Sequence, residues 1–208
     1  MRKSIGILCM LLGILLVLGA YGLIISNQQE DQDAEVFVDE LVPLLREEIS
    51  QAQQSATETT LPQDNIPKEL LNPEDLIMTE KMINGYAYIG YLTIPELKLE
   101  LPVMSGWDSR RLQKSPCRYT GTLKGEDLVI MAHNFKSHFG YLARLSEGSV
   151  VQFMDMDGNL WNYSVVAKDI LPAEAVEEMT AGEYDLSLFT CAPNRTQRIT
   201  VRCNKADT

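Results

Sequence analysis

Apolar and polar positions follow three different rhythms along this chain. From Ile5 to Ile25 no residue is charged, and a helix over those 21 residues would be about 31 Å long, enough to cross the hydrocarbon core of a bilayer. Arg2 and Lys3 precede the run, and Glu30, Asp31 and Asp33 follow it. The positive-inside rule then puts the N-terminus in the cytoplasm and everything beyond residue 26 outside. Leu18-Gly19-Ala20 resembles a cleavage site, but the run is longer than the apolar core of a signal peptide, so it is read as an uncleaved anchor. From Asn27 to Gln53 the chain is polar except for Val38, Leu41, Val42, Leu45 and Ile49, a helical stripe that contains Pro43 and predicts a kinked stalk helix. Gln54 to Lys68, rich in Ser, Thr, Gln and Pro, predicts a flexible spacer. Glu69 to Asn84 predicts one short helix.

From Gly85 onward the period shortens to two. Tyr86–Pro95 and Lys98–Met104 read as strands joined by a tight turn, and Leu128–His133 as a buried strand apolar on both faces. Val150–Met156 and Leu160–Ala167 flank Asp157-Gly158-Asn159, a hairpin signal. Leu186 to Cys191 and Arg198 to Val201 form a last pair. Helical spacing appears only briefly, as a turn near Trp107–Leu112, a short helix over Phe139–Leu145, and another over Pro172–Met179 with the stripe Ala175, Val176 and Met179. Many short strands with closely spaced turns predict a mainly β domain, either a barrel or a sandwich.

Composition narrows what such a domain does. The chain has 208 residues, 45% of them hydrophobic, and a formal net charge of -11. That acidity argues against nucleic-acid binding, which depends on Lys and Arg neutralising phosphates. It suits solubility, or attraction of cationic amines. Acidic residues such as Glu126, Asp127, Glu177 and Glu178 do not make a recognisable cation site, and the histidines His133 and His138 lack a third ligand at metal-site spacing. Four cysteines are present. Cys9 lies in the apolar run, Cys203 falls on the apolar face of a strand, and a Cys117–Cys203 disulfide is allowed outside the cell. Cys191 is expected to be a free thiol.

Asp185 to Arg202, DLSLFTCAPNRTQRITVR, holds the candidate chemistry. Leu186, Leu188 and Phe189 deliver Thr190 and Cys191 to a strand end, where a Pro-Asn turn begins. The returning strand puts Arg198, Thr200 and Arg202 on one face, and Ile199, Val201 and Cys203 on the other. Arg198, first on its strand, is therefore expected near Cys191, with Arg195 in the loop as its alternative. Arg202, four residues further along, is expected to be a surface or structural residue. Acyl transfer through a thioester needs a thiolate, a proton donor for the leaving amine and donors for the oxyanion. Cys191, His133 and Arg198 fit those roles; His138 is the rival base, read as a helix-start or groove residue. With unperturbed groups about 3% of thiols and about 24% of imidazoles are charged at pH 7. Close pairing must then raise the thiolate-imidazolium fraction, or turnover proceeds from a minor protonation state.

This stretch resembles the C-terminal signature of sortases, T-L-x-T-C followed by a short loop and R-x-x-V. Leu128-Val-Ile-Met-Ala-His133-Asn134, with His138-Phe139-Gly140 and Leu142, resembles the sortase histidine motif, although Met131-Ala132 stands where many members have Ala-Gly. Tyr91-Leu-Thr-Ile-Pro95 with Leu101-Pro-Val103 is similar to the family's first strand pair. The resemblance implies a closed eight-stranded β-barrel with a few short helices, preceded by the transmembrane helix and stalk. It divides the chain into a cytoplasmic tip and anchor (1–26), an extracytoplasmic stalk and linker (27–84) and a catalytic barrel (85–208).

It also implies the reaction, for which no cofactor is expected and no metal-binding residue is assigned, a calcium requirement being left open. A Leu-Pro-x-Thr-Gly-like sorting signal of a surface protein enters a groove, Cys191 attacks the threonine carbonyl, and an amine of peptidoglycan or of a pilin resolves the acyl-enzyme. Thr190, Leu171, Pro172, Ala175, Val176 and Met179 are the expected substrate-binding residues. Attachment to the cell wall is favoured over pilus building, because the chain shows neither a clear aromatic lid motif nor a second hydrophobic segment at its C-terminus. The rivals are a membrane-anchored cysteine peptidase, in which water resolves the acyl-enzyme, and a non-catalytic adhesin. In papain-like enzymes Cys precedes His along the chain, the reverse of the order here, and an adhesin has no need of Cys191, His133 and Arg198 together.

Overall fold

Backbone is described for residues 2–56, 76–181 and 183–206 of the computed structural model, and side chains for residues 10–54, 76–181 and 183–206. Eight strands close a barrel: β2 (Tyr86–Ile94), β3 (Leu99–Met104), β4 (Cys117–Thr120), β5 (Leu128–Met131), β6 (Val150–Asp155), β7 (Leu160–Pro172), β8 (Leu186–Cys191) and β9 (Gln197–Lys205). Their order around the wall is β2-β3-β4-β5-β8-β9-β7-β6, and β6 returns to pair with β2. At Gly90 β2 bulges while pairing with both β3 and β6, and a side chain there would strike the Met154 carbonyl. Glycine is what lets the barrel close at this point.

The short strand β1 (Lys81–Ile83) is added to the edge of β2. The helix expected over Glu69–Asn84 is therefore not seen where the chain is described. Asn84 and Gly85, at φ 50° and 81°, turn β1 into β2. Residues 57–75, which include most of the expected spacer, lie outside the described residues. The Asp157-Gly158-Asn159 hairpin forms as expected. It is held by Asp155, whose carboxylate accepts from the Asp157 and Asn159 amides, the Asn159 side chain and the Trp161 indole at 2.8–3.0 Å. The first helical segment is shifted by two residues from its expected place, and the other two are shorter than their periodicity predicts. α2 covers Ser109–Lys114, capped by the Asp108 carboxylate; α3 covers only Val176–Met179; and Leu142–Arg144 is a single 3-10 turn.

A single helix, α1 (Arg2–Ala56), carries the whole apolar run and the stripe that follows it, with Pro43 in its interior. Its first part is exposed, long and apolar enough to cross a membrane. Its second part is built into the barrel's packing. Leu41 and Leu45 are 1% and 0% exposed and lie in one cluster with Ile49, Tyr88, Met104, Cys117 and Met156. The Arg46 guanidinium grips both carboxylate oxygens of Glu100 at 2.6 Å, and the Gln53 side chain donates to the Gly158 carbonyl at 2.9 Å. The stripe expected on a stalk thus covers one side of the barrel, because five large apolar side chains on one helix face have to leave water. Leu45→Ala is expected to lower the stability of the detergent-solubilised full chain by about 3 kcal/mol, read by chemical unfolding. An unchanged midpoint would mean that this face of the helix is not load-carrying for the fold.

Inside the barrel, Leu92, Ile94, Leu128, Ile130, Phe139, Phe153, Tyr163, Leu186, Leu188 and Val201 form the main core. Cys117 and Cys203 are both buried and both free. No disulfide joins them, and burial pushes each thiol up to about 12.

Candidate active site

β8 lies between a parallel neighbour, β5, and an antiparallel one, β9. The register on the first side pairs Val129 with Ser187 and Met131 with Phe189. It continues past the strand end, where the Ala132 amide donates to the Phe189 carbonyl at 3.2 Å and the Thr190 hydroxyl donates to the Ala132 carbonyl at 2.9 Å. His133 follows two residues after the end of β5, at the end of the barrel where the parallel strand β8 ends in Cys191. On the other side the register pairs Cys191 directly with Arg198, and β7 in turn pairs Leu171 with Arg198. Strand alternation puts His133, Cys191, Arg198 and Leu171 in one row across the outer face of the barrel. Below it, on the same face, lie the rows Met131, Phe189, Thr200 and then Val129, Ser187, Arg202.

Each of the three expected catalytic residues is half-buried at this end of the barrel. The Arg198 guanidinium rests on the carbonyls of Gln197 and Arg195, at 3.2 and 3.5 Å. Both contacts are with neutral backbone carbonyls, and no ion pair among the described residues holds the charge when an anion forms nearby. His133 stacks on Phe135, with ring centroids 4.6 Å apart. Burial lowers its pKa below the usual 6.5; the Glu30 carboxylate on α1 opposes this, and Arg195 adds to it. The resting imidazole is therefore neutral near pH 7 and able to accept a proton from a neighbouring thiol.

His138 has a different surrounding. It is 0% exposed, and among the described residues its ring nitrogens make no hydrogen bond of good geometry. Burial pushes its pKa down to about 4, with the nearby His133 adding to the effect and the Lys114 backbone only partly opposing it. It is a core residue of the turn beyond His133, tightened at Gly140, where any side chain would meet the Asn134 and Phe135 carbonyls. The unfolded chain takes up this proton near 6.5, whereas the folded chain resists it until about 4. Stability thus rises with pH across that window and is lost as pH falls through it. Acidifying from pH 6.5 to 4 should cost about 3 kcal/mol at this residue. The check is to compare unfolding midpoints of wild type and His138→Phe over that range, expecting the variant to lose less.

The expected groove residues divide. Thr190 points inward, is 2% exposed and has its hydroxyl engaged by Ala132, so it ties β8 to β5 and does not face a groove. A two-residue period cannot put Thr190 and Cys191 on the same face. Met179 is buried against Val129 and Phe189, with Leu171 packed beside them. Ala175 is half-buried, while Val176 and Pro172 are exposed at the rim. On the opposite side Tyr119 meets Phe189 edge-on at 5.3 Å and stacks on Trp107 at 5.6 Å. Sequence reading passed over Met131, Phe189, Tyr119 and Trp107; the alternation within β5 and β8 already assigned the first two to the face of His133 and Cys191. Arg202 is buried beneath this surface. It bonds the Asp169 carboxylate at 3.1 Å, the Ser187 hydroxyl at 2.9 Å and the Met179 and Glu178 carbonyls, pinning α3 to the strands below. Among the described residues no cluster of metal-ligating side chains was found.

Comparison with known proteins agrees with this architecture. The family model for the sortase domain matches residues 92–206. Sortase C of Streptococcus pneumoniae superposes with a TM-score of 0.58 at 21% identity, covering 81% of this chain and 97% of its own. Sortase A of Corynebacterium diphtheriae covers 91% of this chain and 96% of its own, with a TM-score of 0.54 at 19% identity. Sortase C of Clostridium perfringens, solved with the C-terminal cell wall sorting motif, covers 82% and 91% with a TM-score of 0.54 at 23% identity. The comparison with curated proteins gives no match.

Proposed function

Given that the chain belongs to the sortase family, we propose that it cleaves a Leu-Pro-x-Thr-Gly-like sorting signal and joins the protein that carries it to an amine of the cell wall. The observation that supports this reading is the strand register that pairs Cys191 with Arg198 and runs β8 parallel to β5, the strand that ends two residues before His133. The neutral His133 imidazole accepts the Cys191 proton as sulfur attacks the threonine carbonyl. Arg198 swings from its loop carbonyls to the oxyanion of the tetrahedral intermediate. The C–N bond then breaks, His133 returns the proton to the leaving glycine amine, and a thioester on Cys191 remains. An incoming amine reverses these steps: it gives a proton to His133, attacks the thioester and releases Cys191 as the thiol. The leucine and proline of the signal suit the half-buried Met131 and Leu171, which lie over the buried Phe189 and Met179, with Tyr119 and Trp107 opposite. The apolar part of α1 anchors the enzyme with its N-terminus in the cytoplasm and the barrel outside.

The test is to incubate the full chain in detergent with a library of sorting-signal peptides, with and without candidate amines, and to weigh protein and products. A thioester adduct on the protein and an amine-dependent ligation product are expected. Hydrolysis unaffected by any amine would replace transpeptidation with peptidase activity.

A further inference from the structure

Helix α1 runs unbroken from its apolar segment into the packing of the barrel, so the height of the active site above a membrane is set by the helix. Two contacts fix that height near the anchor. The Asp31 carboxylate accepts from the Ser137 amide at 3.0 Å and from its hydroxyl at 2.7 Å, clasping the loop that follows His133. Just below the clasp a cleft of about 410 Å³ has Leu23, Ile24 and Asn27 on the helix side and Asn134, Phe135 and Lys136 on the barrel side. Leu23 and Ile24 belong to the apolar run, and at 1.5 Å per residue the clasp at Asp31 lies only about 10 Å beyond Ile24. The His133 loop therefore cannot stand clear of a bilayer that holds Ile5–Ile25.

We propose that the turn Asn134–Lys136 docks in the headgroup layer of the outer leaflet, with phospholipid headgroups filling the cleft between it and α1. This rests on the reading of Ile5–Ile25 as the anchor. The chemistry of the surface fits: Leu23 and Ile24 face acyl chains, Asn27 and Asn134 suit glycerol and ester oxygens, and the exposed Lys136 ammonium suits a phosphodiester. Of the nearby acids, Asp31 lines the upper end of this cleft with its carboxylate turned to Ser137, and Glu30 and Asp33 face Gln113 and Lys114 across a separate cleft. The catalytic row then opens at the membrane plane, and a substrate tethered in the same leaflet meets it without rising far from the surface.

The test places a fluorophore on single cysteines of the full chain in phosphatidylcholine nanodiscs, with Cys9 and Cys191 replaced by serine and the buried Cys117 and Cys203 left in place. The three labelled variants are Ile24→Cys, Lys136→Cys and Ser50→Cys, the last about 39 Å up the helix from Ile24. Quenching by a nitroxide-headgroup lipid should be strong at residues 24 and 136 and at least about fivefold weaker at residue 50. A helical heptad inserted after Ser26 lifts the barrel by about 10 Å with little rotation. It should bring the residue 136 signal down toward that of residue 50, while the same insertion in the otherwise unaltered enzyme leaves ligation of a free peptide unchanged. Quenching at residue 24 with none at 136, or a 136 signal indifferent to the insertion, overturns the docking. No quenching at residue 24 overturns the anchor and the docking with it. None of the depth readings requires turnover, so they stand apart from the test of transpeptidation.

Discussion

Cys191→Ala is expected to fold normally and to lose sorting-signal ligation by about 10⁴-fold or more, since no other group in the row can form the thioester. Cys191 is half-buried at a strand end, and its paired position opposite Arg198 depends on backbone hydrogen bonds that alanine keeps. The other cysteines outside the membrane segment, Cys117 and Cys203, are buried, with thiols raised to about 12, so neither substitutes for it. Arg198→Ala should retain the adduct but slow its formation by about 10² to 10³, the usual effect of removing one oxyanion donor. The measurement is single-turnover mass spectrometry of the adduct. Undiminished ligation by Cys191→Ala would end the thioester mechanism and leave a sortase fold with another chemistry.

Arg202→Ala should cost about 3 kcal/mol of stability, because it leaves the buried Met179 carbonyl and Ser187 hydroxyl without their partner, while the 40% exposed Asp169 carboxylate can turn to water. The guanidinium side chain is 3% exposed, and its partners come from three segments: Asp169 on β7, Ser187 on β8, and the backbone carbonyls of Glu178 and Met179 at α3. Without it, α3 loses its tie to the strands that carry Cys191 and Arg198, and the wall formed by Met179 loosens. Chemical unfolding in detergent gives the stability, and hydrogen exchange at the α3 amides gives the local effect. Asp169→Asn keeps most of the hydrogen bonds and should cost much less. Equal losses in the two variants would place the stabilisation in the ion pair alone.

What could be read from the residues was what period and punctuation encode. The β8–β9 pair, its face alternation, the Asp157-Gly158-Asn159 hairpin and the anchor-length apolar run all depend on neighbours in sequence, and each appears in the structure. The turn at Asn84-Gly85 is equally local, an Asn-Gly pair at φ 50° and 81° that ends any helix over Glu69–Asn84. The use made of the Leu41–Ile49 stripe was not legible. A 3.6-residue period says that a face is apolar, and only the tertiary fold says that the face meets Tyr88 and Met104. Arg202 illustrates the same limit: alternation placed it with Arg198, but whether that face is open or roofed by α3 is decided by a connection of irregular backbone. Thr190 adjoins Cys191 in sequence, yet a two-residue period turns its side chain to the opposite face, where it bonds Ala132.

The closure of β6 onto β2 bears on how quickly the molecule assembles. Leu92 pairs with Phe153, and until that join forms both strands present unpaired edges while the intervening chain is already extended. Contacts between partners so distant along the chain carry a large loop-closure cost, which places folding in the slow, millisecond-to-second range rather than with helical proteins. Because α1 lies at the front of the chain and packs on β2 and β3, it can cover the apolar side chains on one face of these first strands before the last strands arrive. A helix present from the start would thus act as an internal template that keeps the apolar face of the unfinished sheet out of water.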